Sequence, residues 1–465
     1  MIYSRIIFLL LLSFILSNNS DGINNQFKIV DSNDVSTQIL FTLDEYNLVQ
    51  DGSKHELKVN DKIGLTLDQG HPQLPVYSTL FKINPDKSYE FSYNVVSSTI
   101  IENIDFENYK SNLSSGSIYP LDNMYVSEPQ VMRDLVLNQI GFVPFKYYSD
   151  QKKLEIYEEV EINIIESGNS NLEYFIPEKK SRVFAELYQN SIINYEISNR
   201  NEDYQVPSIL YICGGNACSN SYFLELVEWR HKQGYHVTVA STSSSDDDGL
   251  NGNGESAIDN YISSAYNGVN PPEIVGLVGD VGGAYNIACD YYNWAGWYSG
   301  ASDVKYTYIS GNDLLPEVVI GRISADNSSD LANIINKTIQ YEKGTLQSES
   351  WFERSALIGD PTVGSGISPA ITCQWIKELM IQFGVENVFA DLNGGGNALS
   401  DFLVNQFNEG ILYYNYRGIY EAPGSYLSNS MINSLNNGYK TPFATIITCG
   451  TGDFDYDDDS EEFIR

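Results

Sequence analysis

The chain has 465 residues, 42% of them apolar and 13% aromatic, which is enough for two or three packed domains. Its 27 Lys and Arg face 61 Asp and Glu, a formal charge of −34. That charge excludes ordinary nucleic-acid binding, where phosphates must be neutralised by cations. It describes a well-solvated surface instead, as of a secreted protein in salt water or one bound to Ca²⁺.

The N-terminus, MIYSRIIFLLLLSFILSNNS, places one cation, Arg5, before an apolar run from Ile6 to Leu16. That run is too short to span a bilayer and matches a secretory signal peptide over residues 1–20. No other stretch is long and apolar enough to be a transmembrane segment. From residue 21 to 195 the chain is β-rich. QILFTLDEYNLV, HELKVN, YEFSYNVVSSTII and KLEIYEEVEINII alternate apolar and polar residues at period two, separated by turn clusters such as NPDK and YSDQKK. The 34 tyrosines suit such half-exposed strands. An antiparallel sandwich or barrel-like packing follows. The stretch EKKSRVFAELYQNSIINYEISNRNEDYQVP then reads as polar and broken, with the linker proper at 196–207. Its cluster of Lys179, Lys180 and Arg182 suits processing by a protease, or is a solvated charge run.

From Ser208 onward strands alternate with helices. SILYIC, YHVTVAST, EIVGLVGD, PEVVIGRISA, SALIGD, ENVFADL, ILYYNY and PFATIITC read as strands. Between them lie helical patterns such as NSYFLELVEWRHKQG, with Asn220 or Ser221 as N-cap and Gly234 as stop. An aromatic, Gly-rich excursion, VGGAYN through YYNWAGWYSG to YTYISGND, interrupts the alternation. Helical spacers of this length specify βαβ units and a mostly parallel sheet flanked by helices on both faces: an α/β fold preceded by an all-β unit.

Five cysteines in a chain of this length are no disulfide framework. Cys213 and Cys218, separated by GGNA, are close enough to pair, but the commoner reading of such residues is small and buried. In an open parallel sheet, chemistry collects outside the carboxyl ends of the strands. Cys449 stands there, followed by Gly450-Thr451-Gly452, and so do Gly279-Asp280 and Asn415 to Gly418. A thiolate attacking an amide carbon makes an oxyanion that backbone N–H groups, such as that of Gly450, stabilise, and glycines let a substrate backbone approach. A buried structural thiol is the competing reading of Cys449. Asp280 is a candidate for binding a basic substrate side chain, or for capping its own turn.

ITCGTGDF with the preceding NYRG resembles the active-site region of the gingipain-type cysteine peptidases, which have a caspase-like α/β fold. GLVGD, SGNDLLPEVVIGRISA and the helix ending YEKG resemble the first half of the same catalytic domain. HPQLPVYSTLFKIN, YPLDNMYV and VPFKYYSDQKKLEIYEEVEINI resemble the family's β-rich prodomain. The resemblance implies a caspase-like catalytic domain over residues 208–465 and a secreted endopeptidase precursor. Cys449 would be its nucleophile and polypeptide its substrate, and its own prodomain would cover the site until cleaved. The chain departs from the family at one point. The catalytic His of the Gly-His-Gly motif is replaced here by Ile419, in Gly418-Ile419-Tyr420, and no His follows His236. Ile419 accepts no proton. Arg417, Tyr420 and Glu421 are the groups left to lower the thiol's pKa, hold water or take a proton. A second expectation is therefore a pseudopeptidase that keeps the fold for binding. No cofactor is required. Since gingipain-type domains bind Ca²⁺, Asp453, Asp455 and Asp457 are candidate ligands of an irregular structural site. The spacing is not that of an EF-hand, because the sixth place is Asp458 and the twelfth Ile464. A solvated loop is the other reading. EEFIR reads as the start of an uncapped helix, an expectation that the catalytic domain continues past Arg465.

Overall fold

The computed structural model describes residues 26–465, apart from 60–63, 111–116, 244–249, 251, 295–297, 345–349, 362–365, 394–396, 419–427, 448–453 and 456–465. The expected signal peptide lies outside the described residues, as do Cys449, Gly450, Ile419, Tyr420, Glu421, Asp453 and Asp457. The chain divides into two compact units, one formed by residues 1–205 with Ser310–Glu317 and the other by 206–309 with 318–465.

The first unit is built on two antiparallel sheets. Phe27–Ser32, Ser36–Thr42, Lys153–Asn169, Phe145–Tyr148 and Ile118–Tyr119 run in that order, with Lys87–Glu102 also paired to the long strand Lys153–Asn169. The second sheet orders Gln130–Met132, Leu135–Phe142, Pro75–Ile83 and Gly64–Leu65, with Met124–Val126 also on Leu135–Phe142. Strand Pro75–Ile83 alternates buried and half-buried residues without a break, so one face turns to a core at every second residue. Phe41, Val160 and Ile162 from one sheet and Tyr77, Phe81, Ile140 and Phe142 from the other share that core, as a sandwich requires.

Two features depart from the sequence reading. The stretch expected to be polar and broken contains a helix, Arg182–Ser191, capped by Ser181 Oγ accepting from Phe184 N. Its Phe184 and Tyr188, four residues apart, cover the outer face of the second sheet through Leu137 and Met132. Lys180 is tied into a bridge with Tyr204, its N–H donating to Asp203 O. Second, Ser310–Glu317 folds with the first unit although its sequence neighbours do not. Asp313 Oδ2 accepts from Val131 N at 2.9 Å, and Glu317 O accepts from Arg133 Nη1 at 2.8 Å.

The second unit is α/β. Its parallel strands form two four-stranded sheets rather than one. The first orders His236–Ser241, Ser208–Cys213, Ile274–Val278 and Val319–Ile323. SILYIC is buried along its whole length because both faces are covered. Ile209, Tyr211 and Cys213 face helices Ser221–Lys232 and Ser328–Lys343, while Leu210 and Ile212 face helix Glu255–Tyr266. These helices begin and end on their sequence signals. Asn220 and Asn327 accept N-cap hydrogen bonds, and Gly344 ends its helix in the left-handed region. The second sheet orders Asn387–Asp391, Arg354–Gly359, Tyr413–Arg417 and Phe443–Ile447, with helix Asn397–Glu409 on one face and Ser368–Gln382 on the other. Among the described residues no helix is long and apolar enough to cross a membrane.

Cys213 and Cys218 form a disulfide, against the expectation of two separate small buried residues. Gly214 N donates to Val278 O, and Gly215 takes φ +53°, so the chain doubles back at once after the strand. That turn leaves the two Cα atoms 5.4 Å apart, within bridging range.

Candidate active site

The carboxyl edge of the second sheet is set by parallel register. Tyr413 pairs with Phe443 and Arg417 with Ile447, and Gly418 N approaches Ile447 O at 3.4 Å. Gly359 pairs with Arg417 on the other side, and Asp360 N donates to Arg417 O at 3.0 Å. The strands carrying NYRG and TIITC are therefore neighbours that end together. Cys449 follows Ile447 by two residues in sequence. Asp360, a buried carboxylate at this edge, was not singled out by the sequence.

Arg417 turns its Nη1 to Gly418 O at 3.0 Å. It also lies near Cys373, a fully buried thiol on the helix beneath. Cys373 Sγ donates to Ile358 O at 3.2 Å and accepts from Asn415 Nδ2 at 3.3 Å. Burial pushes that thiol up to about 11, with Asn415 and Arg417 pulling the other way. Cys373 is thus an inert thiol at neutral pH.

Asp280 follows strand Ile274–Val278 of the first sheet by two residues and is 3% exposed. Its Oδ1 accepts from Val281 N at 2.7 Å, the turn-capping geometry, and its carbonyl accepts from Ile287 N. Next to it, Gly279 takes φ +147°, and a Cβ there would meet Tyr285 O at 1.9 Å. The backbone is packed on itself at this strand end.

Arg322, on strand Val319–Ile323, joins this edge to the chain that follows Cys449. Its Nε and Nη2 bind both oxygens of Asp303 at 2.8 and 2.7 Å. Its Nη1 donates to Gly279 O and Ile287 O at 3.2 and 3.1 Å, and Nη2 also to Ala288 O at 3.2 Å. The guanidinium lies 4.5 Å from the ring centroid of Phe454. The next residue, Asp455, accepts from Tyr291 Oη at 2.5 Å. Tyr291 belongs to the hairpin Asp290–Trp294 and Tyr298–Ser302, into which the aromatic excursion folds. Sequence reasoning missed Arg322, although one cation inside the apolar PEVVIGRISA was a signal that a buried partner must exist.

Of the expected Ca²⁺ ligands only Asp455 is described, and its Oδ2 is engaged by Tyr291. Among the described residues no three His, Cys, Asp or Glu side chains converge as a metal site would require.

The model of peptidase family C25 matches residues 202–465, and that of the C25 propeptide matches 81–201. The chain belongs to peptidase family C25. C25 relatives include gingipain R2 of Porphyromonas gingivalis, 24% identical over 83% of this chain and 54% of its own length. Gingipain R1 of the same organism is 24% identical over 83% of this chain and 40% of its length. Lys-gingipain is 23% identical over 70% of this chain and 19% of its length. The chain thus spans about half or less of these relatives. A crystal structure of the Arg-specific cysteine proteinase gingipain R is 24% identical, covering 58% of this chain and 61% of its own, with a TM-score of 0.47. A complex of gingipain pro- and mature domains from P. gingivalis is 23% identical, covering 55% and 59%, with a TM-score of 0.45. The matched stretches place a domain of the C25 peptidase family directly after a domain of the C25 propeptide family in one chain.

Proposed function

We propose that the chain is a secreted cysteine-type endopeptidase precursor in which Cys449 is the nucleophile. What supports this reading is the parallel register at the carboxyl edge of the second sheet, in a chain of family C25. The strand before Cys449 ends beside the strand before Gly418, as a site shared by two neighbouring strand ends needs. In this reading the Cys449 thiolate adds to the scissile carbonyl carbon, and the oxyanion takes the N–H of Gly450. Collapse expels the amine with a proton and leaves a thioester, which water then hydrolyses. With Ile419 at the family's His position, the proton must be handled by Tyr420, Glu421 or water, and Arg417 is the cation available to stabilise a thiolate. Structural Ca²⁺ near Asp453, Asp455 and Asp457 belongs to the same proposal. Asp280, buried and turned to its own backbone, is the weakest member of the set as a substrate ligand.

The second reading, favoured by Ile419, is a pseudopeptidase that keeps the fold and binds without cutting. Losing one partner of a nucleophile–base pair costs several orders of magnitude in rate. The two readings separate on the alkylation rate of Cys449 by iodoacetamide against pH, resolved by peptide mass spectrometry with and without Ca²⁺. Cys373, held at about 11, is the internal control. Fast alkylation of Cys449 well below pH 8 supports the peptidase. A profile like that of a free thiol near ~8.5 removes the enzyme reading and leaves the binding one.

A further inference from the structure

We propose that strand Lys87–Glu102 is the interface of a homodimer, its stretch Tyr89–Val95 pairing antiparallel with the same stretch of a second copy of this chain. The strand is 16 residues long, about three times the usual length, and it lies at a sheet edge. Lys153–Asn169 takes one side of it. Among the described residues no strand takes the other side, and residues 88–101 make no backbone hydrogen bond outside that one ladder. Folded proteins blunt such edges with proline, with lysine or by keeping them short. This strand has no proline, and its one lysine is its first residue. An edge left open over this length is a template for another strand.

The residues along the edge fit a second copy of themselves. The ladder shifts register between Glu166 and Gly168, beside Ser88, and again between Glu159 and Val160, beside Val96. Tyr89–Val95 is the regular stretch between those shifts, and Ser92 is its middle. A two-fold axis at Ser92 sets Tyr89 opposite Val95 of the second copy, Phe91 opposite Tyr93 and Glu90 opposite Asn94. Directly opposite residues share a face, so the core side of one copy continues into the core side of the other. Tyr89, Phe91 and Tyr93 already pack on that core, and Val95, 40% exposed, gains a tyrosine beside it. Aromatic–aromatic and aromatic–β-branched pairs are those that stabilise neighbouring strands. No like charges are opposed. The two Glu90 side chains stand four residues apart along the joint, about 14 Å. The glutamates of Lys153–Asn169 face their copies across three strand spacings, also about 14 Å. Both distances exceed the ~8 Å over which charges act at physiological salt. In a chain with 61 acidic residues, Phe91–Ile101 carries no charge at all. That suits a partner as acidic as the chain itself, whereas a basic strand would find only Glu90 to grip. The pairing makes about six to eight backbone hydrogen bonds, within the range of a standard interface. Each copy uses up its open edge, so assembly stops at two.

The interface lies wholly in the first unit and does not depend on the reading of Cys449. The test is sedimentation of the full chain over a range of concentrations, with a dimer expected. Asn94→Glu opposes two pairs of carboxylates per dimer and should raise the dimer dissociation constant about two- to thirtyfold. Asn94→Lys sets a cation opposite each Glu90 and should lower it by a similar factor. Ser92→Cys places two thiols opposite each other at the axis, about 5 Å apart between Cα atoms, and should give a disulfide-linked dimer under mild oxidation. Ser98→Cys is the control, equally exposed but about 40 Å from its copy in this register. A wild type still monomeric at about 100 µM overturns the proposal. So does a monomer whose amides in 88–96 are protected along both edges, which would mean that another segment lies there. A dimer indifferent to both Asn94 variants, or one that links no better through Ser92→Cys than through Ser98→Cys, is built elsewhere and overturns it too.

Discussion

Replacing Asp134 by Asn should stabilise the first unit at neutral pH and do nothing at pH 4. Asp134 lies in the turn between strands Gln130–Met132 and Leu135–Phe142. Its Oδ1 is 2.9 Å from Tyr188 Oη, which also donates to Met132 O at 2.8 Å. One phenolic proton cannot fully serve both acceptors, and the buried Oδ2 has no partner at all. Burial pushes the carboxyl from 3.8 to about 6, and the Tyr188 hydrogen bond, Arg133 and Lys180 only partly oppose it. The sign follows from the direction. The folded state holds this proton more tightly than the unfolded one, so stability is greatest below pH 3.8 and is lost as pH rises through 6. Moving a carboxyl that far is worth about 3 kcal/mol above pH 7. Asn carries no charge, and its amide can donate to Tyr188 Oη while Tyr188 donates to Met132 O. The assay is amide exchange of strand Leu135–Phe142 in the full chain at pH 4 and pH 7.5, corrected for intrinsic rates. The variant should match wild type at pH 4 and be protected up to about a hundredfold more at pH 7.5. Equal protection at both pH values, or less protection of the variant at pH 7.5, would refute the reasoning.

Three further changes test the second unit. Glu342 accepts from both Nη atoms of Arg230 and from Trp229 and Gln233. Burial pushes its carboxyl up, but those donors outweigh it and hold it below the usual range. Glu342→Gln should therefore cost about 2 kcal/mol in denaturant unfolding at pH 7, with the loss shrinking as pH falls through the folded-state value; an equal loss at pH 3 would contradict the charge argument. Gly279→Ala forces a Cβ to 1.9 Å from Tyr285 O at φ +147°, and a drop of about 3 kcal/mol or more is expected. A thermal midpoint within about 1 °C of wild type would mean the loop yields freely. Removing the Cys213–Cys218 disulfide with two serines should cost about 2 kcal/mol, the modest value of a short loop. Wild type treated with a reductant should fall to the same midpoint, and a double variant as stable as the oxidised protein would show the bridge to be idle.

Much of the α/β architecture was legible because it is written in short-range signals. SILYIC is apolar at every position except its first, which only a strand covered on both faces tolerates. The cap at Asn220 stands where the residue type said, and Asn327 and Gly344 bound their helix by the same kinds of signal. That Tyr413–Arg417 and Phe443–Ile447 lie side by side agrees with the length of one βαβ crossover between them. The division into two sheets was not legible, since each βαβ unit looks alike whether or not the next strand joins it. Nor was the allegiance of Ser310–Glu317, whose SGNDLLPE has no periodicity and is held by Asp313 and Glu317 reaching partners far back in the chain. Helix Arg182–Ser191 was missed although Phe184, Tyr188 and Ile192 recur at four-residue spacing; the surrounding charges hid the stripe.

The candidate site divides along the same line. Cys449 was singled out from position, a small residue at the end of an apolar strand before two glycines, and that logic needs no tertiary contact. The contacts of the two described residues that follow its run could not be found that way. Arg322 and Phe454 meet through a ring face, and Tyr291 and Asp455 through a single hydrogen bond, neither of which imposes a spacing on the sequence. What the sequence did offer was an unpaid charge: an arginine inside PEVVIGRISA must bury itself against a carboxylate and carbonyls or leave the strand. A cation in an apolar strand end is therefore a pointer to buried polar partners. The same reasoning applies to Asp360, whose burial beside Arg417 makes its environment the next place to look for groups that set the chemistry at this edge.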